Sequence, residues 1–147
     1  MGLRAINNPN SSFEDPYAST GTEAWAPYVF VSWYGTRGTW AGGYGVGGGV
    51  KNVIGYVTIA TPGNATDFGD TQTTKFGASG CSNGKRGLIA GGRTGTSQLN
   101  VIGYITFAST GDATDFGDLT EARRYLGSLS DGKKGVWGSG NNNSDAN

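Results

Sequence analysis

The chain of 147 residues carries 11 basic and 11 acidic side chains, so its formal net charge is zero and a nucleic-acid-binding protein is not expected. It contains no histidine and a single cysteine, Cys81, which excludes Ser-His-Asp and Cys-His catalysis and an intrachain disulfide, and argues against a zinc site. The 28 glycines and a charged fraction of only 15%, against about 25% on average, favour short strands joined by tight turns.

Residues 1–27 precede the regular part of the sequence. They contain no apolar segment typical of a signal peptide, and no apolar run in the chain approaches the roughly 20 residues of a membrane span. We therefore expect a protein that is made in a cytoplasm and does not bind membranes. Tyr17 and Trp25 punctuate this stretch, which we predict to be an arm that donates a strand to a neighbouring chain.

An internal repeat is the strongest signal in the sequence. Residues 52–70 and residues 100–118 are identical at fourteen of nineteen positions, with a period of 48 residues. A weaker match joins residues 82–92 to residues 130–140. Such repetition predicts equivalent structural units that stack on one another, because a single unit of this size cannot bury its own apolar face.

Each unit is predicted to form four short antiparallel strands, because apolar and β-branched runs alternate with clusters of Gly, Asn, Asp and Pro. The predicted fold class is therefore all-β. The units cover residues 28–75, residues 76–123, and a partial unit with an Asn-rich tail at residues 124–147. The first strand of a unit is predicted at 28–33, 76–82 and 124–130, and the second at 37–43, 86–92 and 134–140. The third strand is predicted at 53–60 and 101–108, and the fourth at 66–70 and 114–119.

Three features recur at fixed places in the units: a glycine pair after the second strand, a tyrosine in the third strand, and a phenylalanine twelve positions after that tyrosine. They are Gly42, Gly43, Tyr56 and Phe68 in the first unit, and Gly91, Gly92, Tyr104 and Phe116 in the second. This order resembles the kelch repeat, although kelch repeats usually have Trp where the phenylalanines stand. The segment at residues 56–70 resembles a kelch-like repeat of virion structural proteins of marine tailed phages.

The resemblance implies that the units are blades of a β-propeller, a ring that typically has four to eight blades. About three units are too few to close a ring, so we expect closure by oligomerisation, with two chains forming one ring, or by other virion proteins. The glycine pair is expected to adopt positive φ and to permit close approach of neighbouring blades. In the last unit the pair is Ser139-Gly140, and the constraint is expected to be relaxed there.

Acidic residues recur with the repeat and do not form one unique cluster; they are Asp67, Asp70, Asp112, Asp115 and Asp118. Their spacing leaves a calcium loop open, but Asp in turns commonly accepts hydrogen bonds from nearby backbone N–H groups. We therefore expect no metal, no cofactor and no catalytic residues. Cys81 occupies the position of Leu129 in the next unit, which predicts a small buried apolar side chain and not a nucleophile.

Two tryptophans, Trp40 and Trp137, occupy the repeat position of Ile89, which predicts that they belong to the core between sheets. Three other aromatic residues are candidate contacts to a ligand or partner: Tyr17, Trp25 and Trp33. Together with the resemblance, these patterns predict a non-enzymatic structural protein of a phage virion, as a capsid decoration or a tail or fibre component. The alternative is a multivalent, lectin-like propeller that binds a cell-surface glycan.

Overall fold

The structure is a computed structural model that describes residues 36–45, 47–61 and 63–142. These three ranges contain nine β-strands and no helix, which confirms the all-β fold class. The predicted N-terminal arm, the predicted first strand at residues 28–33, and the candidate contact residues Tyr17, Trp25 and Trp33 lie outside the described residues.

The strands form three antiparallel sheets, in each of which neighbours in the sheet are neighbours along the chain. The first sheet contains β1 to β3, the second contains β4 to β7, and the third contains β8 and β9. The strands are β1 (Arg37–Tyr44), β2 (Val50–Thr58), β3 (Thr66–Asp70), β4 (Ser79–Ser82), β5 (Arg86–Ala90), β6 (Val101–Thr106), β7 (Thr114–Asp118), β8 (Gly127–Ser130) and β9 (Gly135–Gly138).

The three sheets follow the predicted strand pattern. The second sheet has all four strands predicted for a unit, and the third sheet has the first two of them. The first sheet has the second, third and fourth strands of its unit. β4 and β8 begin three residues later than predicted, because Phe76 and Arg124 form only isolated bridges.

The hairpin between β4 and β5 shows why the chain reverses at a fixed place in the repeat. The Asn83 Oδ1 atom accepts hydrogen bonds from the backbone N–H groups of Lys85, at 3.0 Å, and Arg86, at 2.8 Å. Gly84 completes the turn with a φ of 80°, which a residue with a side chain rarely adopts. An Asn-Gly pair is among the strongest short-range signals for a hairpin.

The hairpin between β8 and β9 repeats this turn with Asp131 in place of the asparagine. The Asp131 Oδ1 atom accepts hydrogen bonds from the N–H groups of Lys134, at 2.6 Å, and Lys133, at 2.7 Å. These backbone hydrogen bonds lower the pKa of the Asp131 carboxyl group, and the bond from Lys134 has the larger effect. The basic residues at this repeat position, Lys85 and Arg86 in one unit and Lys133 and Lys134 in the next, therefore donate backbone N–H groups to the turn.

The main apolar cluster of the described part lies between the first and second sheets, so neither sheet buries its apolar face alone. Its buried members are Ile54 and Phe68 from the first sheet and Ile105 and Ala113 from the second, none more than 8% exposed. Partly buried side chains surround them: Ala41, Tyr56, Ile89 and Phe107. The core is therefore a contact between repeat units, and the stability of one unit depends on its neighbour.

Candidate assembly interface

The first and second sheets are joined by backbone hydrogen bonds as well as by apolar contacts. The loop between β6 and β7 lies along β3, where the Gly111 N–H donates to Phe68 O at 2.7 Å and the Ala113 N–H donates to Asp70 O at 2.8 Å. In return, the Asp70 N–H donates to the Asp112 Oδ1 atom at 2.9 Å. The main chain itself therefore fixes how one unit sits on the next.

An arginine at the start of the second strand packs on the repeat tyrosine in both of the fuller units. The Arg37 guanidinium lies 4.6 Å from the centroid of the Tyr56 ring, and that of Arg86 lies 4.7 Å from the centroid of Tyr104. The Arg37 Nη1 atom also donates to Phe107 O at 2.8 Å, so this side chain links the first sheet to the second. Within the described residues, the third sheet has no third strand that would offer Arg86 the same acceptor.

The repeat phenylalanines pack locally in the same way but differ in burial. The ring of Phe68 lies 5.9 Å from that of Tyr56, and the ring of Phe116 lies 6.3 Å from that of Tyr104, both edge to face. Phe68 is 2% exposed, whereas Phe116 is 56% exposed. The difference arises because the second sheet covers Phe68, while the third sheet, as far as its strands are described, has only two and none of them lies at the corresponding place over Phe116.

The glycine pairs have the positive φ that the sequence predicts, and the first glycine of each pair is tightly packed. Gly42 and Gly91, the first residues of the pairs, have φ values of 67° and 65°. A Cβ atom at Gly42 would lie 2.2 Å from Lys75 O, and one at Gly91 would lie 2.5 Å from Arg123 O. Lys75 and Arg123 are the last residues of the first and second units, so a side chain at either glycine would displace the end of its own unit, from which the chain continues into the next.

In the third unit the sequence places Ser139 at the first position of the pair, where the constraint on the pair is expected to be relaxed, but the requirement for positive φ is not relaxed. Ser139 has a φ of 60°, and the following Gly140 has a φ of 89°, so the left-handed conformation is retained. The turn is therefore required by the unit itself. Ser139 adopts it at a cost, because a Cβ atom is strained in this region of φ.

The second and third sheets contact each other through serines on neighbouring strands. The Ser128 Oγ atom of β8 donates to Gly80 O at 2.7 Å and accepts a hydrogen bond from the Ser79 Oγ atom at 2.8 Å. The Ser130 Oγ atom donates to Ser82 O at 2.9 Å. Two of these three contacts join residues 48 positions apart. The same repeat position in two units therefore meets itself, as it does when units stack in register.

β9 completes this interface with a large side chain, Trp137, and with Gly135, which has none. The Trp137 Nε1 atom donates to Ser79 O at 3.3 Å, and a Cβ atom at Gly135 would lie only 2.5 Å from the Cys81 Sγ atom. Cys81 is half-buried in this contact, and its burial raises the pKa of the thiol. The thiol is therefore protonated at neutral pH, as expected for a packing residue and not for a nucleophile.

The prediction that the repeat position of Ile89 lies in the core between sheets is correct for two of its three residues. Ile89 packs against the main apolar cluster, and Trp137 is half-buried against β4. Trp40 is 48% exposed, so the prediction is wrong for this residue. The reason is that the outer side of β1, on which Trp40 lies, is not covered by another sheet in the described part of the chain.

Two of the recurring acidic residues, Asp67 and Asp112, accept hydrogen bonds from backbone N–H groups. The Asp67 Oδ1 atom accepts from the Gly69 N–H at 3.2 Å, and Asp112 accepts from Asp70 across the first interface. This supports the turn interpretation. Across the described ranges, no three side chains of the types that bind metal ions come together in one group.

A cavity of about 530 Å³ lies between the first and second sheets and was not foreseen from the sequence. Its lining comes mainly from β1, β4 and β5 and includes Arg37, Ser79, Cys81 and Phe107. At the equivalent place between the second and third sheets there is a strand contact, because β8 packs against β4. The first sheet shows no counterpart of that strand among the described residues.

Lys75 is a second feature that sequence reasoning missed. Its side chain is 0% exposed, and among the described residues its Nζ atom has no hydrogen-bond partner. Burial lowers the pKa of this amino group, because the charged form loses its hydration. The position is fixed by the backbone: the Lys75 N–H donates to Lys51 O at 3.0 Å, and Lys75 O accepts from the Gly43 N–H at 2.8 Å.

Replacing Lys75 with methionine is expected to raise the free energy of unfolding at neutral pH by about 1–3 kcal/mol, the cost of a buried polar group without a partner. Because the pKa is lowered in the folded state, the unfolded chain binds more protons between that pKa and the ordinary lysine value. The wild-type protein therefore gains stability as pH rises through this window, and its deficit relative to Lys75→Met shrinks. Urea titrations of both proteins from neutral to alkaline pH measure this; a constant deficit would refute the assignment.

The chain matches no protein-family model, and the comparison with curated proteins returns no match. Its class rests on its own geometry: an all-β repeat protein whose units bind one another at fixed repeat positions. In the described part, no helix has the length and apolar character needed to cross a membrane.

Proposed function

We propose that the chain is a non-enzymatic structural protein of a phage virion, which uses kelch-like repeats as an assembly surface on a capsid, tail or fibre. The observation that carries the proposal is that each described sheet binds the next one. Backbone bonds from Gly111 and Ala113 join the first and second sheets, and the serines of β4 and β8 join the second and third. Units of related sequence that bind one another through two different faces are suited to building an array. The sequence resemblance to virion repeats of marine tailed phages supports the same role.

In this proposal the sheets are propeller blades, and a ring closes only when more than one chain contributes to it. β9 pairs with β8 and has no second neighbour among the described strands, and Phe116 is exposed beside this vacant position. Residues 1–27, the predicted arm, would supply the missing strands to the third sheet of a neighbouring chain. Other virion proteins would be the alternative source.

The test of the virion assignment is the composition of purified particles. Antibodies raised against the purified chain are applied, with gold label, to particles grown from the genome that encodes it. We expect labelling at regular positions on the capsid or the tail, and a constant copy number by quantitative mass spectrometry. A chain that stays in the lysate while purified particles lack it would contradict the assignment.

A glycan-binding propeller is the second candidate, and the cavity of about 530 Å³ is the observation that favours it. Its size is that of small-molecule sites, and its lining combines the aromatic Phe107 with the polar Arg37 and Ser79. Binding on a glycan array that is lost on replacing Trp25 or Trp33 with alanine would favour this function. An array on which no glycan binds the chain would contradict the glycan-binding function, and the assembly function would then be the one candidate left.

A further inference from the structure

Two apolar surfaces of the described part are uncovered, one at each end of the series of sheets. The C-terminal face is formed by Leu129 and Val136, which are paired across β8 and β9 and are 76% and 62% exposed. The N-terminal face is formed by Trp40 and Ile59, which are 48% and 67% exposed, together with Gly38. Exposed apolar residues that lie close together are typical of an interaction surface.

The C-terminal face repeats a surface that is already covered in the structure. Leu129 and Val136 occupy the repeat positions of Cys81 and Leu88, which are paired across β4 and β5 in the same way. In the second sheet these positions are half-buried, and the third sheet lies against Cys81. The C-terminal face therefore has the backbone and the apolar character of a surface that receives a sheet.

The N-terminal face repeats the surface that does the covering. Gly38 and Trp40 occupy the repeat positions of Gly135 and Trp137. In the third sheet, Gly135 leaves the space into which the Cys81 thiol fits, and Trp137 donates a hydrogen bond to the backbone of β4. Both residue types are identical at the N-terminal face, so the features that make the contact between the second and third sheets are present there, and no described residue covers them in the same way.

We propose that the C-terminal face of one copy of the chain binds the N-terminal face of a second copy, in the arrangement that joins the third sheet to the second. The Trp40 Nε1 atom of the second copy then donates to Gly127 O of the first, because Gly127 follows Ser79 by one repeat. Leu129 of the first copy lies against Gly38 of the second, where the glycine itself has no side chain and the apolar side chains of Val57 and Ile59 are its neighbours. The inference rests on the proposed function and names the partner of the assembly surface as the same chain.

Because two different faces meet, the association is heterologous, and each copy keeps one unused face after binding another. Copies therefore add head to tail until a ring closes or a filament grows. A two-fold contact, in which identical C-terminal faces meet, would stop at a dimer. The two arrangements differ in how variants of the two faces complement each other.

The experiment uses Leu129→Glu, which places a charge on the C-terminal face, and Trp40→Glu, which places one on the N-terminal face. Light scattering coupled to size exclusion is expected to show assemblies for the wild-type chain and monomers for each variant alone. When the two variants are mixed, the intact C-terminal face of Trp40→Glu binds the intact N-terminal face of Leu129→Glu. The expected product is a one-to-one complex that grows no further.

Several results would overturn the inference: a wild-type chain that is monomeric at all concentrations, single variants that assemble like the wild type, or a mixture that stays monomeric while both variants are folded by circular dichroism. Val136→Lys replaces Leu129→Glu if the latter does not fold. Thr96→Glu, in an exposed loop before β6, is the matched control and should assemble normally. A mixture of variants that does not associate would contradict the head-to-tail contact but not the virion role. Particles that lack the chain would contradict the virion role but not the head-to-tail contact.

Discussion

Replacing Phe68 with alanine is expected to lower the free energy of unfolding by about 3–5 kcal/mol, the usual cost of removing a buried aromatic side chain. Phe68 is 2% exposed and contacts both sheets of the main apolar cluster. Its removal would leave a cavity that backbone hydrogen bonds on either side prevent from closing. Urea denaturation of the two proteins measures the difference.

The matched control is Phe116→Ala, at the same repeat position and beside the same tyrosine. Phe116 is 56% exposed, so its replacement should cost less than about 1 kcal/mol in the monomer. Both replacements are made in the Leu129→Glu background, so that association between copies does not change the result. Equal losses for the two phenylalanines would show that burial between the sheets does not distinguish them.

The second large effect is expected for Gly42→Ala, which should lower the free energy of unfolding by about 2–5 kcal/mol. The φ of 67° is strained for alanine, and the new Cβ atom would lie 2.2 Å from Lys75 O. That oxygen cannot move away easily, because it accepts the Gly43 N–H hydrogen bond that ties β1 to the segment after β3. Thermal and urea unfolding both report the loss.

The matched control for the glycine prediction is Ser139→Gly, which reverses the substitution at the equivalent position. Ser139 already has a φ of 60°, so glycine there removes strain, and the variant should be more stable by about 1 kcal/mol. If Ser139→Gly were destabilising, or Gly42→Ala were neutral, the left-handed turn would not be a requirement of the repeat.

The strands and turns could be predicted from the sequence because the repeat supplies each signal more than once. The match between residues 52–70 and residues 100–118 places β2 with β6 and β3 with β7, and the structure has these strands in the same order and with the same bulge. The turn residues Asn83 and Asp131 mark two hairpins for the same physical reason, since each accepts hydrogen bonds from the two N–H groups that follow the turn.

Burial could not be predicted in the same way, because a repeat gives equivalent positions equivalent sequences but not equivalent neighbours. Trp40 and Trp137 share a repeat position, yet among the described strands only Trp137 has another sheet to pack against. Phe68 and Phe116 differ for the same reason. Lys75 was missed because a single lysine in a loop gives no sequence signal that its side chain will be buried.

The most direct test of stacking in register is amide hydrogen exchange at four positions of the Leu129→Glu variant. Gly111 and Ala113 donate hydrogen bonds to the first sheet and should exchange slowly. Gly63 and Ala65 occupy the same repeat positions one unit earlier, are exposed, and should exchange fast. Protection at residues 111 and 113 alone is the predicted result, and equal exchange rates at all four positions would contradict it.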